Sequence, residues 1–196
     1  MNNPLSLRQR NRSNTMRLVQ EHAVLLIEQN GFDSTKIEDI AEATGVSAST
    51  IFRHFGTKEY LVLWDEIDDS IDLHLRKILQ TATPVLGFRD AILASMGKRS
   101  DTNMFLRRLR LIYSTPAIWA EAATRDRVSR QELADAFSKL AGRKTVSIAD
   151  ATLAATCLAA LDVALETWQS NKGKQNLTEL IREAFEQLPT STENAS

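Results

Sequence analysis

The stretch STKIEDIAEATGVSASTIFRHFGTK, Ser34 to Lys58, constrains this chain more than any other. It holds two short helical periods on either side of Gly45. Ile40, Val46 and Ile51 supply apolar positions that join the two helices, and the small Ala41 lets them cross closely. Thr35 and Glu38 have capping-box spacing for the first helix. Ser47 can cap the second, with Ala48, Ser49 and Thr50 as its first turn. Gly56 ends that helix, and Thr57, Lys58 and Glu59 open another. Caps, turn and apolar spacing all agree on a helix-turn-helix, whose DNA-binding versions lay the second helix in the major groove.

The remaining pattern is helical, and no segment alternates as a strand does. The first helix begins at about Ser6 or Arg12 and runs to Asn30, on the spacing of Met16, Val19, Ala23, Leu26 and Ile27, and Gly31 ends it. The helix opened at Thr57 is expected to reach about Gln80, on Leu61, Trp64, Ile67, Ile71, Leu75 and Ile78. Pro84 breaks the chain and starts a helix to Met96. Others are expected over Thr102–Ser114, Pro116–Leu140 and Ser147–Asn171, and a final one carries Leu177, Leu180, Ile181, Ala184, Phe185 and Leu188. The fold class is therefore all-α, with about nine helices. The boundaries expected are a helix-turn-helix head over 1–60 and a helical body over 61–196.

Composition narrows the function classes. With 43% hydrophobic and 25% charged residues among 196, the chain has the makeup of a soluble globular protein. No apolar run is read as a membrane span, no signal peptide opens the chain, and the single Cys157 fits a reducing cytoplasm. The net charge of −1 counts mildly against nucleic-acid binding. Distribution counts the other way: Arg8, Arg10, Arg12 and Arg17 all precede the first acidic residue, Glu21, giving a cationic arm that reads as a phosphate contact or as a solvated leader. Neither a nucleophile–His–acid spacing, a glycine-rich phosphate loop nor a zinc motif is present, so no enzyme activity and no cofactor are expected. His22 and His74 lack partners at metal spacing. Asp65, Asp68, Asp69 and Asp72 share a face that reads as solvated, with Asp72 paired to Arg76, rather than as a metal site.

The residues GFDSTKIEDIAEATGVSASTIFRHFGTKEYL, Gly31 to Leu61, resemble the N-terminal domain of the TetR family of bacterial transcriptional regulators. The resemblance implies an all-helical homodimer with a three-helix DNA-binding head and a body that dimerises and binds a small-molecule inducer. It implies a palindromic double-stranded operator, read by Ser47, Ala48, Ser49 and Thr50, with Phe52, Arg53 and His54 at the groove. Relatives usually carry Tyr where this chain has Phe52, so a phosphate hydrogen bond is missing there, and a Gly common at Ser49 is absent. Lys58, beside the free N–H groups of a helix start, is expected on a phosphate. Thr35 and Lys36 hold a similar place, with Lys36 read equally as a solvent-facing lysine.

The body segment RRLRLIYSTPAIWAEAATRDR, followed by an alanine-rich helix and DVALETW, is similar to an actinobacterial subgroup whose C-terminal domain accommodates acyl-CoA-like ligands. That likeness implies an apolar tube with a cationic mouth. Candidate lining residues are Phe88, Ile92, Met96, Phe105, Leu109, Ile112, Trp119, Phe137 and Trp168, with Arg108 as the cation and Thr156, Cys157 and Asp162 as orienting groups. The same positions read more readily as plain core, and Arg107, Arg108 and Arg110 at least as readily as partners of the acids after Leu63. The alanines of the eighth helix suit a close helix–helix interface, so charged replacements at Ala155 or Phe185 are expected to give monomers. Kept beside the inducible repressor is a helix-turn-helix protein without an inducer, acting as an activator or a protein-interaction module.

Overall fold

The structure, a computed structural model, describes residues 7–65, 83–97, 99 and 101–188. Among these lie nine helices and no strand. They are α1 (Leu7–Asn30), α2 (Ile37–Thr44), α3 (Ala48–Phe55), α4 (Lys58–Leu63), α5 (Pro84–Met96), α6 (Thr102–Ser114), α7 (Pro116–Leu140), α8 (Ile148–Ser170) and α9 (Leu177–Glu186). The described residues fall into two compact units. One holds 7–65 with 103–122; the other holds 83–102 with 123–188. Most of α6 thus groups with the helix-turn-helix, which no single boundary near residue 60 would have predicted.

The first unit is built on α1. Its buried Met16, Val19 and Ala23 meet Ile37 and Ile40 of α2, Ile51 and Phe55 of α3, and Leu61 of α4. A second apolar cluster joins Ile27 and Val62 to Ile118, with Leu111 and Ile112 of α6 packed against it. The second unit is a three-helix core of α5, α8 and α9 with the later turns of α7. Phe88, Ile92, Phe137, Cys157, Ala164, Ile181 and Phe185 are buried together.

Two expectations change at helix ends. Helix α2 starts one residue later than the capping-box spacing suggested. Lys36 is the extended N-cap residue, and its N–H donates to the Asp39 carboxylate at 2.8 Å. Thr35 is buried, and its hydroxyl donates back to the Gly31 carbonyl at 2.8 Å, so neither Thr35 nor Glu38 makes the cap.

Helix α4 does not continue to Gln80 as one rod. It stops at Leu63, and Trp64 turns to φ −53°, ψ 133°. Side chains from elsewhere hold the end: Gln20 Nε2 donates to the carbonyls of Leu61 (2.7 Å) and Trp64 (2.6 Å). Arg108 donates to those of Val62 (2.9 Å) and Leu63 (3.1 Å). The last carbonyls of a helix have no partner within it, and here all four acceptors are satisfied across the fold. Apolar periodicity cannot report a stop imposed by two distant side chains. Asp68, Asp69, Asp72, His74 and Arg76 lie outside the described residues.

Helix α8 also departs from expectation. By length and composition Ile148–Ser170 suffices to cross a bilayer, against the expectation of no such run. Its inner face, Ala154, Cys157, Ala164 and Trp168, is buried in the body core, while Val163 and Ile148 are exposed. Phe185 of α9 is 1% exposed within that core, so a charge there would break packing rather than an interface. Burial pushes the Cys157 thiol up to about 12, leaving it protonated and inert.

Candidate nucleic-acid interface

The turn between α2 and α3 rests on Gly45, at φ 69°, ψ 10°. A left-handed residue ends α2 while its N–H donates to the Ala41 carbonyl at 2.9 Å. A Cβ at Gly45 would meet no neighbour, so φ rather than space selects the glycine. Ser47 then caps α3, its Oγ accepting from the Thr50 N–H at 3.3 Å. Ile51 and Phe55 anchor α3 in the core. This leaves Ser49, Phe52 and Arg53 exposed, with Ala48, Thr50 and His54 half-buried.

The polar groups on this surface are organised before any ligand arrives. Ser47 Oγ lies 3.1 Å from Ser49 Oγ and donates to Thr50 Oγ1 at 2.9 Å. Arg53 donates to the same Thr50 oxygen at 3.3 Å. Such a seam holds hydroxyls and a guanidinium in register for base edges or phosphates.

Beside the end of α3, Arg8 and Arg12 of α1 join Arg53 and His54 around an open cavity of about 720 Å³. The arm read from the sequence is therefore helical over Arg8 to Arg17, and Arg8 and Arg12 lie beside Arg53 and His54 of α3. His54 is held below its ordinary pKa, first by burial and then by the charges of Arg12 and Arg53. The cleft is a cationic recess beside the C-terminal end of α3. The signal that pointed to it was the run of arginines before the first acid.

Lys58 is placed differently from its expected role. Its Nζ donates to the carbonyls of Phe32 (2.6 Å) and Thr35 (3.0 Å) and stands 4.1 Å from the Phe32 ring centre. It ties the α1–α2 loop to the start of α4. Lys36 stays exposed at the α2 start. Thr35 leaves the candidate contacts because its hydroxyl is turned inward.

The residues expected around a ligand are shared between the two units. Phe105, Arg108, Leu109, Ile112 and Trp119 belong to the first unit; Phe88, Ile92, Met96, Thr156, Cys157, Asp162 and Trp168 belong to the second. Arg108, 4% exposed, is committed to the α4 end and to Asp65, 3.3 Å away. That is the pairing with an acid after Leu63 that the sequence left open. Arg107 likewise pairs with Glu28 of α1. Trp119 is 46% exposed, its ring 5.4 Å from that of Tyr113. In the second unit Phe88 packs on Phe185, and Trp168 donates to the Gln175 carbonyl at 3.0 Å. Gln20 had no sequence signal at all: a glutamine on a long helix looks like any surface residue until its partners are known.

Comparison with known proteins fits this geometry. Residues 21–63 match the family model described as bacterial regulatory proteins, tetR family. Residues 82–193 match the MftR C-terminal domain. Over 182 residues, 90% of each chain, the sequence is 28% identical to MftR of Mycobacterium tuberculosis, a transcriptional regulator assigned to mycofactocin biosynthesis. NalD of Pseudomonas aeruginosa, the secondary repressor of the MexAB-OprM multidrug efflux pump, shares the fold with a TM-score of 0.53 at 19% identity, over 89% of this chain and 96% of that one. Thermus thermophilus FadR, solved with lauroyl-CoA, gives 0.51 at 17% identity, over 92% and 99%.

Proposed function

This chain belongs to the TetR family of bacterial transcription regulators, with a C-terminal domain of the MftR type, and we propose that it is a repressor released from a palindromic operator by a small ligand. The observation that carries the DNA-reading half is the pre-bonded polar face of α3 beside the cleft of Arg8, Arg12, Arg53 and His54. Ser49, Thr50 and Arg53 meet base edges, and the cleft with Lys36 takes phosphates. The helix-turn-helix of the first unit reads DNA, while the second unit senses the ligand and pairs with a second copy.

For the ligand we propose an apolar or acyl-type molecule held in the second unit. Met96, half-buried against the cluster that holds Phe88 and Ile92, is its nearest candidate. The lauroyl-CoA bound by FadR supports an acyl chain as the first ligand to try. The cationic end of such a site does not include Arg108, whose guanidinium is committed to α4. A ligand shifts the operator equilibrium only by its difference in affinity between the two states; tenfold release corresponds to about 1.4 kcal/mol.

Electrophoretic shift with the duplex upstream of its own gene tests this reading. Salt-sensitive, sequence-dependent retention that weakens with lauroyl-CoA is the expected result. Retention indifferent to acyl-CoA would leave a regulator without this inducer, and no sequence preference at any salt would overturn DNA reading altogether.

A further inference from the structure

We propose that Phe52 is a specificity residue that reads the C5-methyl group of a thymine in each operator half-site, an inference resting on the DNA-reading role of α3. Phe52 is 51% exposed, although its neighbours Ile51 and Phe55 are buried. The packed alternative for this side chain is therefore not the one the fold adopts. Among the described residues of the helix-turn-helix, it is the large apolar side chain left facing water.

Its surroundings leave it one kind of contact. Helical spacing puts Ala48 one turn earlier on the same side of α3 and Ser49 at its flank. Ser47, Ser49, Thr50 and Arg53 bond to one another, so the polar half of the helix surface is already organised. Phe52 and the Ala48 methyl form an apolar shoulder beside that seam. Phenylalanine has no hydroxyl with which to reach a phosphate. In the major groove the apolar group offered at a base edge is the thymine methyl, and Phe and Ala are side chains suited to it. Binding would bury the exposed ring against that methyl, whereas a cytosine or an unmethylated pyrimidine would leave ring and groove facing each other across water.

The test uses the full chain and a duplex selected by it from a randomised pool, with each thymine replaced in turn by deoxyuracil. This change deletes the methyl and keeps every hydrogen-bonding edge. At one position per half-site, affinity should fall about fourfold, which is about 0.8 kcal/mol. Phe52→Ala should bind the thymine duplex as weakly as the wild type binds the uracil one, and should not distinguish the two. Phe52→Leu should still prefer thymine. Because the ring is half-exposed, the melting temperature of each variant should match the wild type, which separates lost contact from lost fold.

Equal binding of thymine and uracil duplexes at every position overturns the assignment while leaving DNA reading intact. So does a thymine preference that survives in Phe52→Ala, which would place the reading on another residue. Failure of the wild type to enrich any sequence from the pool sinks the DNA-reading role itself, and this inference with it.

Discussion

His54 shows how a single residue links the recognition surface to solution conditions. Burial and the charges of Arg12 and Arg53 favour its neutral form in the free protein. A DNA phosphate entering the cleft would favour the imidazolium, so binding would take up a proton. Operator affinity should therefore rise as pH falls from about 8 to about 6 at constant ionic strength, and His54→Gln should flatten that slope. Fluorescence anisotropy across the range checks it; an unchanged slope in the variant would remove His54 from the contact. Ser49 and Thr50 carry a separate expectation, that their replacement alters which sequences a selection returns. Lys58 was legible as a cation at a helix start, yet not as a tether. Its two carbonyl partners predict that Lys58→Ala loses about 1–3 kcal/mol of stability in denaturant unfolding, alongside its weaker DNA binding.

At the scale of elements, most helix starts were well marked in the sequence, that of α2 excepted, and some ends were not. Ser47, Pro84, Ser147 and Asn176 act locally, through side chains or ring closure within a few residues of their own backbone. The end of α4 depends instead on Gln20 and Arg108, far away along the chain. Arg108→Met should leave buried carbonyls without donors and Asp65 without its guanidinium. The expected cost is about 2–4 kcal/mol in denaturant unfolding, with a matching weakening of operator binding. Wild-type stability in that variant would show that water replaces the guanidinium. The α7–α8 turn has its own electrostatic lock. Burial opposes the Asp150 charge, but Arg143 together with the N–H and hydroxyl of Ser147 outweighs it and holds the carboxyl below its ordinary range. A depressed carboxylate pKa contributes stability above the unfolded value of about 3.9, and that contribution disappears as pH falls through the folded one. Asp150→Asn should therefore lower the melting temperature at pH 7 and make little difference near pH 2, as calorimetry would show.

At the scale of the molecule, the second unit presents small and apolar side chains to solvent along α8, among them Ala151, Ala159 and Val163, while its opposite face is buried. A second copy seated there would give the paired recognition helices that a palindrome requires. Val163→Glu should convert a dimer to a monomer in sedimentation and reduce operator retention, with the helical spectrum unchanged. A dimer that persists would locate the pairing surface elsewhere. Phe185 cannot serve in that experiment, since a buried ring reports on the core.

The all-α class, the helix-turn-helix with its glycine pivot, and most helix limits were determined by the sequence alone, because caps, turns and apolar spacing act over a few residues. Tertiary structure alone decided that α4 stops at Leu63, that Lys58 and Arg108 bind carbonyls, and that Phe52 faces solvent. Each of these depends on what another segment of chain brings within about 3 Å of a polar atom, or withholds from an apolar one. A residue's own identity and neighbours in sequence carry no record of that encounter.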